Sequence, residues 1–253
     1  MAVQDRRDRS EEQDSTPLWQ RLERPARSPR TPLSPERIAE AAVRIADNEG
    51  LDAVTMRRLA SALGVAPMAA YRYVNGKDEL LELMVDHVYG ELELPAMEAA
   101  DWRQITRVLA LRLRDMLLRH PWVSRADWCG PTPNQLALLE NALEALADNR
   151  LDADTSMSMY STVTSYVRGA VDSETGLKQM LRTRGWSSHE EARLELAPQM
   201  QWLIKTGRYP MYERYLREAA RKDDTQWQFE IGLDSVLEGI AVRLEADRAA
   251  REA

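Results

Sequence analysis

The fold is decided by residues 55–77, Thr55-Met56-Arg57-Arg58-Leu59-Ala60-Ser61-Ala62-Leu63-Gly64-Val65-Ala66-Pro67-Met68-Ala69-Ala70-Tyr71-Arg72-Tyr73-Val74-Asn75-Gly76-Lys77. Thr55 is a helix N-cap, because its hydroxyl can accept one of the first-turn N–H groups that a helix leaves unpaired. Leu59, Ala60 and Leu63 follow at helical spacing, and Gly64 ends the run where the backbone must turn sharply. Pro67 then opens another helix at a position where its missing N–H is not needed. The spacing predicts that helix through Val74, closed by Asn75-Gly76. Two short helices joined by a tight glycine-containing turn form a helix-turn-helix. Ala60 is small where the two must approach, and Val65 plugs the hinge.

Upstream, Ser34-Pro35-Glu36 starts a first helix: a capping hydroxyl, a proline in the first turn and an acid near the positive end of the dipole. Ile38, Ala41, Ala42, Ile45 and Ala46 give it one apolar stripe, and Asn48-Glu49-Gly50 ends it, with Gly50 free to take positive φ. The predicted unit is a three-helix domain over residues 34–80.

Charge then says which surface that domain uses. The chain carries 34 basic and 41 acidic side chains in 253 residues, a net charge of −7, which by itself argues against nucleic acid. Residues 1–79 hold 13 bases and 13 acids, however, so the whole excess lies beyond them. From Thr55 to Lys77 there is no acid at all, only Arg57, Arg58, Arg72 and Lys77. A basic patch on a helix-turn-helix is the electrostatic footprint of a phosphate-facing surface. Tyr71 and Tyr73 flank Arg72 with hydroxyl donors.

The first 33 residues read as a flexible arm: Pro17, Pro25, Pro29 and Pro32, many charges, and few apolar groups beyond Leu18, Trp19 and Leu22. Arg21, Arg24, Arg27 and Arg30 recur every third residue, in either a solvated tail or an arm that touches DNA.

Beyond residue 80 the pattern stays helical, with glycine and proline confined to punctuation. The fold class is all-α: an N-terminal helix-turn-helix domain and a larger helical domain over residues 81–253 for ligand binding and dimerisation. Trp102 to Arg119 presents Ile105, Val108, Leu109, Leu113, Met116 and Leu117 on one broad apolar face. Arg112 falls in that face by angle, as a salt-bridge partner or as an anchor for an acidic ligand. Asp127-Trp128-Cys129 is a loop that can border a ligand entrance. From Asp154 to Asp172, Met157, Met159, Tyr160, Val163, Tyr166 and Val167 alternate with hydroxyl residues, either lining a pocket or easing a close helix crossing at an interface. Candidate ligand contacts are therefore Leu109, Arg112, Leu113, Met116, Trp128 and Tyr166. Ser187-Ser188-His189-Glu190 has capping-box spacing and opens a helix through Trp202, after a loop at Leu181 to Trp186. In the last helix Phe229, Leu233, Val236, Leu237 and Ile240 form a stripe, and Gly232 and Gly239 leave room for a close neighbour. That stripe is either the dimerisation surface, in a four-helix bundle of two chains, or core within one chain.

Other classes find little support. A single cysteine, Cys129, makes no internal disulfide and no multi-thiolate metal site, which points to the cytoplasm. No apolar run is long enough for a bilayer, so no membrane partner is expected. His87, His120 and His189 are scattered, with no nucleophile elbow, phosphate loop or metal-ligand spacing. His120, before Pro121 at a helix end, can pair with terminal carbonyls. Neither an enzyme nor a metal or other cofactor is expected.

Leu59 through Val65, followed by Ala70-Tyr71-Arg72-Tyr73-Val74-Asn75-Gly76-Lys77-Asp78-Glu79-Leu80-Leu81, resembles the TetR (tetracycline-repressor) family over about 45 residues. Trp102, His120-Pro121-Trp122 and Phe229-Glu230-Ile231-Gly232-Leu233-Asp234 resemble the regulatory domain of its tetracycline-repressor subgroup. The resemblance implies a homodimeric repressor that binds a palindromic operator in double-stranded DNA and is released by a small-molecule effector. It also implies roles: Thr55 on a phosphate, Arg57 on a base, Pro67, Met68, Ala69 and Arg72 facing bases, and Tyr71, Tyr73 and Lys77 on the backbone. Two positions depart from the pattern. Ala66 replaces a capping Ser or Thr, and Ala69-Ala70 replace larger side chains, which shifts specificity toward Arg57, Arg72, methyl contacts and DNA shape. A regulator without an effector, and a helical binding protein without DNA, are the alternatives.

Overall fold

The computed structural model describes residues 17–23, 33–92, 101–126, 130–147 and 151–252, and every regular element among them is helical. Contacts divide the chain into two compact units, Met1–Pro95 with Asp115–Asn141, and Ala96–Arg114 with Ala142–Ala253.

The first unit is organised by α2 (Pro35–Glu49). Ser34 caps it, its Oγ accepting from the Arg37 N–H at 3.3 Å, and Gly50 ends it at φ 89°. The apolar stripe is real: Ile38, Ala42 and Ala46 are buried, with Ala39, Val43 and Ile45 beside them. It packs against α5 (Lys77–Tyr89), whose Leu80, Met84 and Val88 recur every four residues and are almost fully buried. Burying each side chain of this size contributes about 1.5–3 kcal/mol. Because α5 is committed to this core along its length, the first unit runs past the boundary expected after residue 80.

Between these two helices lie α3 (Met56–Leu63) and α4 (Pro67–Ala70). Thr55 caps α3 by accepting from the Arg58 N–H at 3.1 Å, and Gly64 closes it at φ 66° in the left-handed region. The second helix of the motif is shorter than expected. Ala66 offers no side-chain cap, and after Ala70 the chain becomes a turn at residues 71–73. Beyond that turn the Asn75 N–H donates to the Glu79 carboxylate at 2.7 Å, an alternative to continuing the helical ladder.

The N-terminal arm is also corrected in part. Residues Leu18–Leu22 form a five-residue helix, α1, with Leu18 buried, and Leu33 is buried as well. Arg21 is bound to Glu79, Nη1 to Oε1 at 2.9 Å, rather than held free for phosphate. The Tyr73 hydroxyl donates to the Leu33 carbonyl at 2.7 Å. Residues 17–23 and 33 thus form a strap tied to the helix-turn-helix. Arg24, Arg27 and Arg30 lie outside the described residues. Burial tends to raise the Glu79 carboxyl, but the bonds from Arg21 and from Asn75 outweigh it and hold the group below the ordinary carboxylate value.

The second unit is built on two long helices, α8 (Ala153–Arg184) and α11 (Thr225–Glu252), which pack together. Asp152 caps α8 and Gly185 ends it at φ 71°, so the loop expected at Leu181–Trp186 is mostly helix. Met159, Val163, Val167 and Val171 form its buried stripe; Phe229, Leu233, Leu237, Ile240 and Leu244 form that of α11. The Tyr166 hydroxyl donates to the Phe229 carbonyl at 2.8 Å, and its ring lies where a Cβ on Gly232 would stand. From α6 (Trp102–Arg119), whose first part lies in this unit, Arg103 and Arg107 pair with Glu238 and Asp234 of α11, and Arg114 pairs with Glu174 of α8 at 2.8 Å. The helices α7 (Pro133–Ala147), α9 (His189–Lys205) and α10 (Pro210–Glu218) complete the chain. Ser188, one residue later than expected, caps α9, and Glu191 returns the bond to Ser187.

Arg114, not Arg112, is the cation of the α6 core. Arg112 is exposed, whereas Arg114 is nearly out of solvent and lies 4.8 Å over the Phe229 ring. Arg114→Ala should therefore cost about 3 kcal/mol in chemical denaturation, because Glu174 keeps only its outer partner Lys178, while Arg112→Ala should stay within about 0.5 kcal/mol. Gly232→Ala should destabilise by about 1–3 kcal/mol by displacing Tyr166. The strap has its own signature. Since folding lowers the Glu79 carboxyl, its stabilisation is complete above the ordinary carboxylate value and disappears as pH falls through the lower folded one. Hydrogen exchange at residues 18–22, corrected for intrinsic rate, should accelerate both in Arg21→Ala at neutral pH and, progressively, in the unaltered chain as pH is taken down below the ordinary carboxylate range.

Candidate nucleic-acid interface

Each cation of the acid-free stretch has a different fate. Arg58 is claimed by Glu49 through two bonds of 2.6 and 3.1 Å, and the hydrogen bond from Arg58 is the main reason that the Glu49 carboxyl is held low. Arg57, Arg72 and Lys77 are exposed and have no ion-pair partner among the described residues. They remain as three free positive charges on one small motif.

The apolar groups divide in the same way. Leu59, Ala60, Ala70 and Val74 are buried, fixing α3 and α4 to the unit. Pro67 is exposed, Met68 is 72% exposed and Tyr71 42%, while Ala69 is half-buried. A methionine this exposed at the start of a helix presents a soft apolar surface suited to thymine methyl groups. Thr55 is exposed at the start of α3 with its hydroxyl already on Arg58 N–H, and it can still donate outward. Tyr73 is corrected: its only donor is occupied by the Leu33 carbonyl, so it holds the strap rather than a DNA backbone. The structure therefore brings Thr55, Arg57, Pro67, Met68, Tyr71, Arg72 and Lys77 to the exposed part of one motif, with Ala69 at its edge.

A second cluster in the same unit was not legible in the sequence. Asp47, near the end of α2, accepts from the Trp122 indole at 2.8 Å and lies 2.9 Å from His120 Nδ1. The other His120 nitrogen is 3.4 Å from Glu91. His120 thus pairs with carboxylates from two other segments, not with terminal carbonyls. The His-Pro-Trp triplet was its only local signal.

The expected ligand contacts are placed unevenly. Leu109 and Leu113 are buried on α6, and Met116 is fully buried in the part of that helix belonging to the first unit. Arg112 is exposed, Tyr166 is half-buried against Phe229, and Trp128 lies outside the described residues. Burial of Tyr166 pushes its phenol up. The expected dimerisation stripe is likewise corrected. Phe229, Leu233 and Leu237 are buried against their own chain and have no surface left for a partner. Ile240 is buried too, and with the half-buried Val236 it lines a groove of about 580 Å³ between α8 and α11, beside Ser158, Thr162, Ser235 and Gly239.

Comparison with known proteins agrees with this arrangement. Residues 38–84 match the model for bacterial regulatory proteins of the tetR family, and residues 94–244 match that for the tetracyclin repressor-like C-terminal domain. The transcriptional repressor DrrR1 of Streptomyces coeruleorubidus is 33% identical over 228 residues, 89% of this chain and 83% of its own. The TetR family protein ActR of Streptomyces coelicolor, solved with actinorhodin, superposes with a TM-score of 0.66 at 28% identity, over 83% of this chain and 96% of that one. The same protein with (S)-DNPA gives a TM-score of 0.65 at 27% identity, over 84% and 98%. No described helix is long and apolar enough to cross a membrane. With a helix-turn-helix that keeps Arg57, Arg72 and Lys77 exposed and with both of its parts matched, the chain belongs to the TetR family of DNA-binding transcription regulators.

Proposed function

We propose that this protein is a repressor that binds a palindromic operator as a homodimer in the cytoplasm and is released by a small-molecule effector. The observation that carries the reading is the exposed set Arg57, Arg72 and Lys77, the cations of the motif that no carboxylate neutralises among the described residues. Arg57 extends from α3 and Arg72 from the turn after α4, so both can reach base edges, where a guanidinium reads guanine. Lys77, at the first position of α5, serves a phosphate. Thr55 and Tyr71 supply further backbone donors, and Met68 and Ala69 supply apolar contacts to thymine.

A second copy would seat on the outward faces of α8 and α11. Met157, Ile231 and Val242 are exposed there, and the groove beside Val236 and Ile240 is floored by small residues that let helices approach. The ligand-bound states of ActR support a small-molecule effector, for which the buried Leu109 and Leu113 and the half-buried Tyr166 of the helical unit are the candidate contacts.

Selection from a pool of random duplexes tests the reading directly. The full-length protein should enrich a two-fold symmetric sequence and bind it with a steep salt dependence. Arg57→Ala and Arg72→Ala should each weaken binding by about 1–3 kcal/mol and relax specificity, whereas Lys77→Ala should weaken all sequences alike. Arg58→Ala should have a smaller effect, since Glu49 already holds that side chain. Sedimentation should show the same dimer throughout. An enriched sequence without symmetry, or one indifferent to Arg57 and Arg72, would sink the proposal.

A further inference from the structure

In the second unit, α9 and α10, with Leu177 and Met180 of α8, line an open cavity of about 770 Å³, within the range of about 300–1,000 Å³ typical of sites for small organic ligands. Leu196, Met200 and Ile204 recur every four residues along α9 and form one wall. Tyr212 and Tyr215 of α10 form the other, their rings stacked with centroids 5.8 Å apart and 28° between planes. These side chains are not spent on a core: Leu196 is 40% exposed and each tyrosine 46%. Methionine and tyrosine walls suit a flat, polarizable guest.

The charge at this cavity opposes that of the chain. Arg193, Lys205, Arg217 and Lys222 line it against only Glu213 and Asp223, an excess of two positive charges in a protein of net charge −7. Arg193 is bonded to Asp223 at 2.6 Å, and that hydrogen bond is the main reason the Asp223 carboxyl is held low, so this pair offers a guest no net charge. Lys205 has no ion-pair partner among the described residues. His189 also lines the cavity, and its Nε2 is buried without a hydrogen-bond partner, an unusual state for a native polar atom.

We propose that this cavity binds an aromatic organic acid, with its ring system between the Met200 and tyrosine walls and its carboxylate held by Lys205. The site lies in α9 and α10 and uses no residue of the helix-turn-helix, so it stands whether or not the DNA reading does. An apolar body alone would be served by the walls. The unneutralised lysine and the local positive excess select for an anion.

Titration of the full-length protein with 2-naphthoate, followed by calorimetry, tests this. Saturable binding of one molecule per chain is expected, with the uncharged 2-naphthamide bound more weakly. Met200→Trp, which fills the cavity, and Lys205→Glu, at an exposed position that folding does not depend on, should each weaken naphthoate by at least about tenfold. Leu194→Ala, on the exposed part of α9, should leave it unchanged. The proposal is overturned if naphthoate does not saturate, if it binds both altered proteins as tightly as the original, or if the amide binds equally well. It is also overturned if naphthoate binds only on dilution below the dimer's dissociation, which would make a second copy the natural occupant of the groove.

Discussion

In a chain with 41 acids and 34 bases, a cation stays available to a partner only where the fold keeps carboxylates away from it. That constraint orders the structure. Arg21 is drawn onto Glu79 and pins the N-terminal strap; Arg58 is drawn onto Glu49 and braces α3 against the end of α2. Arg114 is drawn onto Glu174 inside the helical unit, where the pair lies almost out of water. Arg57, Arg72 and Lys77 make no ion pair among the described residues because nothing between Thr55 and Lys77 is acidic and because Glu49 and Glu79 are already engaged. Glu79, one turn into α5, accepts from Arg21 and from Asn75, and its negative charge is directed back into the strap. The free charges of the reading head are thus a product of pairings made elsewhere.

What could be read from the sequence was what local chemistry determines. Ser34 and Thr55 cap helices because a short side-chain oxygen meets an unpaired N–H within three residues, and that geometry needs no tertiary information. Gly50 and Gly64 take positive φ where the chain turns, for an equally local reason. Faces were legible, but their partners were not. Arg112 lies two turns from Ile105 and was placed in the apolar arc. The buried arc is centred instead on Leu109, Leu113, Met116 and Leu117, and Ile105 is only half-buried at its margin. A small rotation of the helix therefore exchanged an exposed arginine for a buried one. The α11 stripe failed in the same way. Periodicity correctly picked out Phe229, Leu233 and Leu237 as apolar surface to be covered, but it carries no mark of which chain covers it. Tyr73 shows the further limit, since its partner is a main-chain carbonyl 40 residues away.

The helix α2 is where these observations meet. Its apolar stripe holds α5, its C-terminal Glu49 braces α3 through Arg58, and its Asp47 receives both Trp122 and His120. The first two contacts fix the reading head to α2. The third fixes α2 to the short helix at residues 121–125, immediately after the end of α6. Packed side chains tolerate small slides, but an indole N–H at 2.8 Å from a carboxylate loses its bond with a shift of well under a residue's length. A displacement of residues 119–123 must therefore either carry α2 with it or break the Asp47 bonds. The end of α6 is thus joined to the rest of its unit through two carboxylates, Asp47 of α2 and Glu91 just beyond α5, which takes both Arg119 and His120.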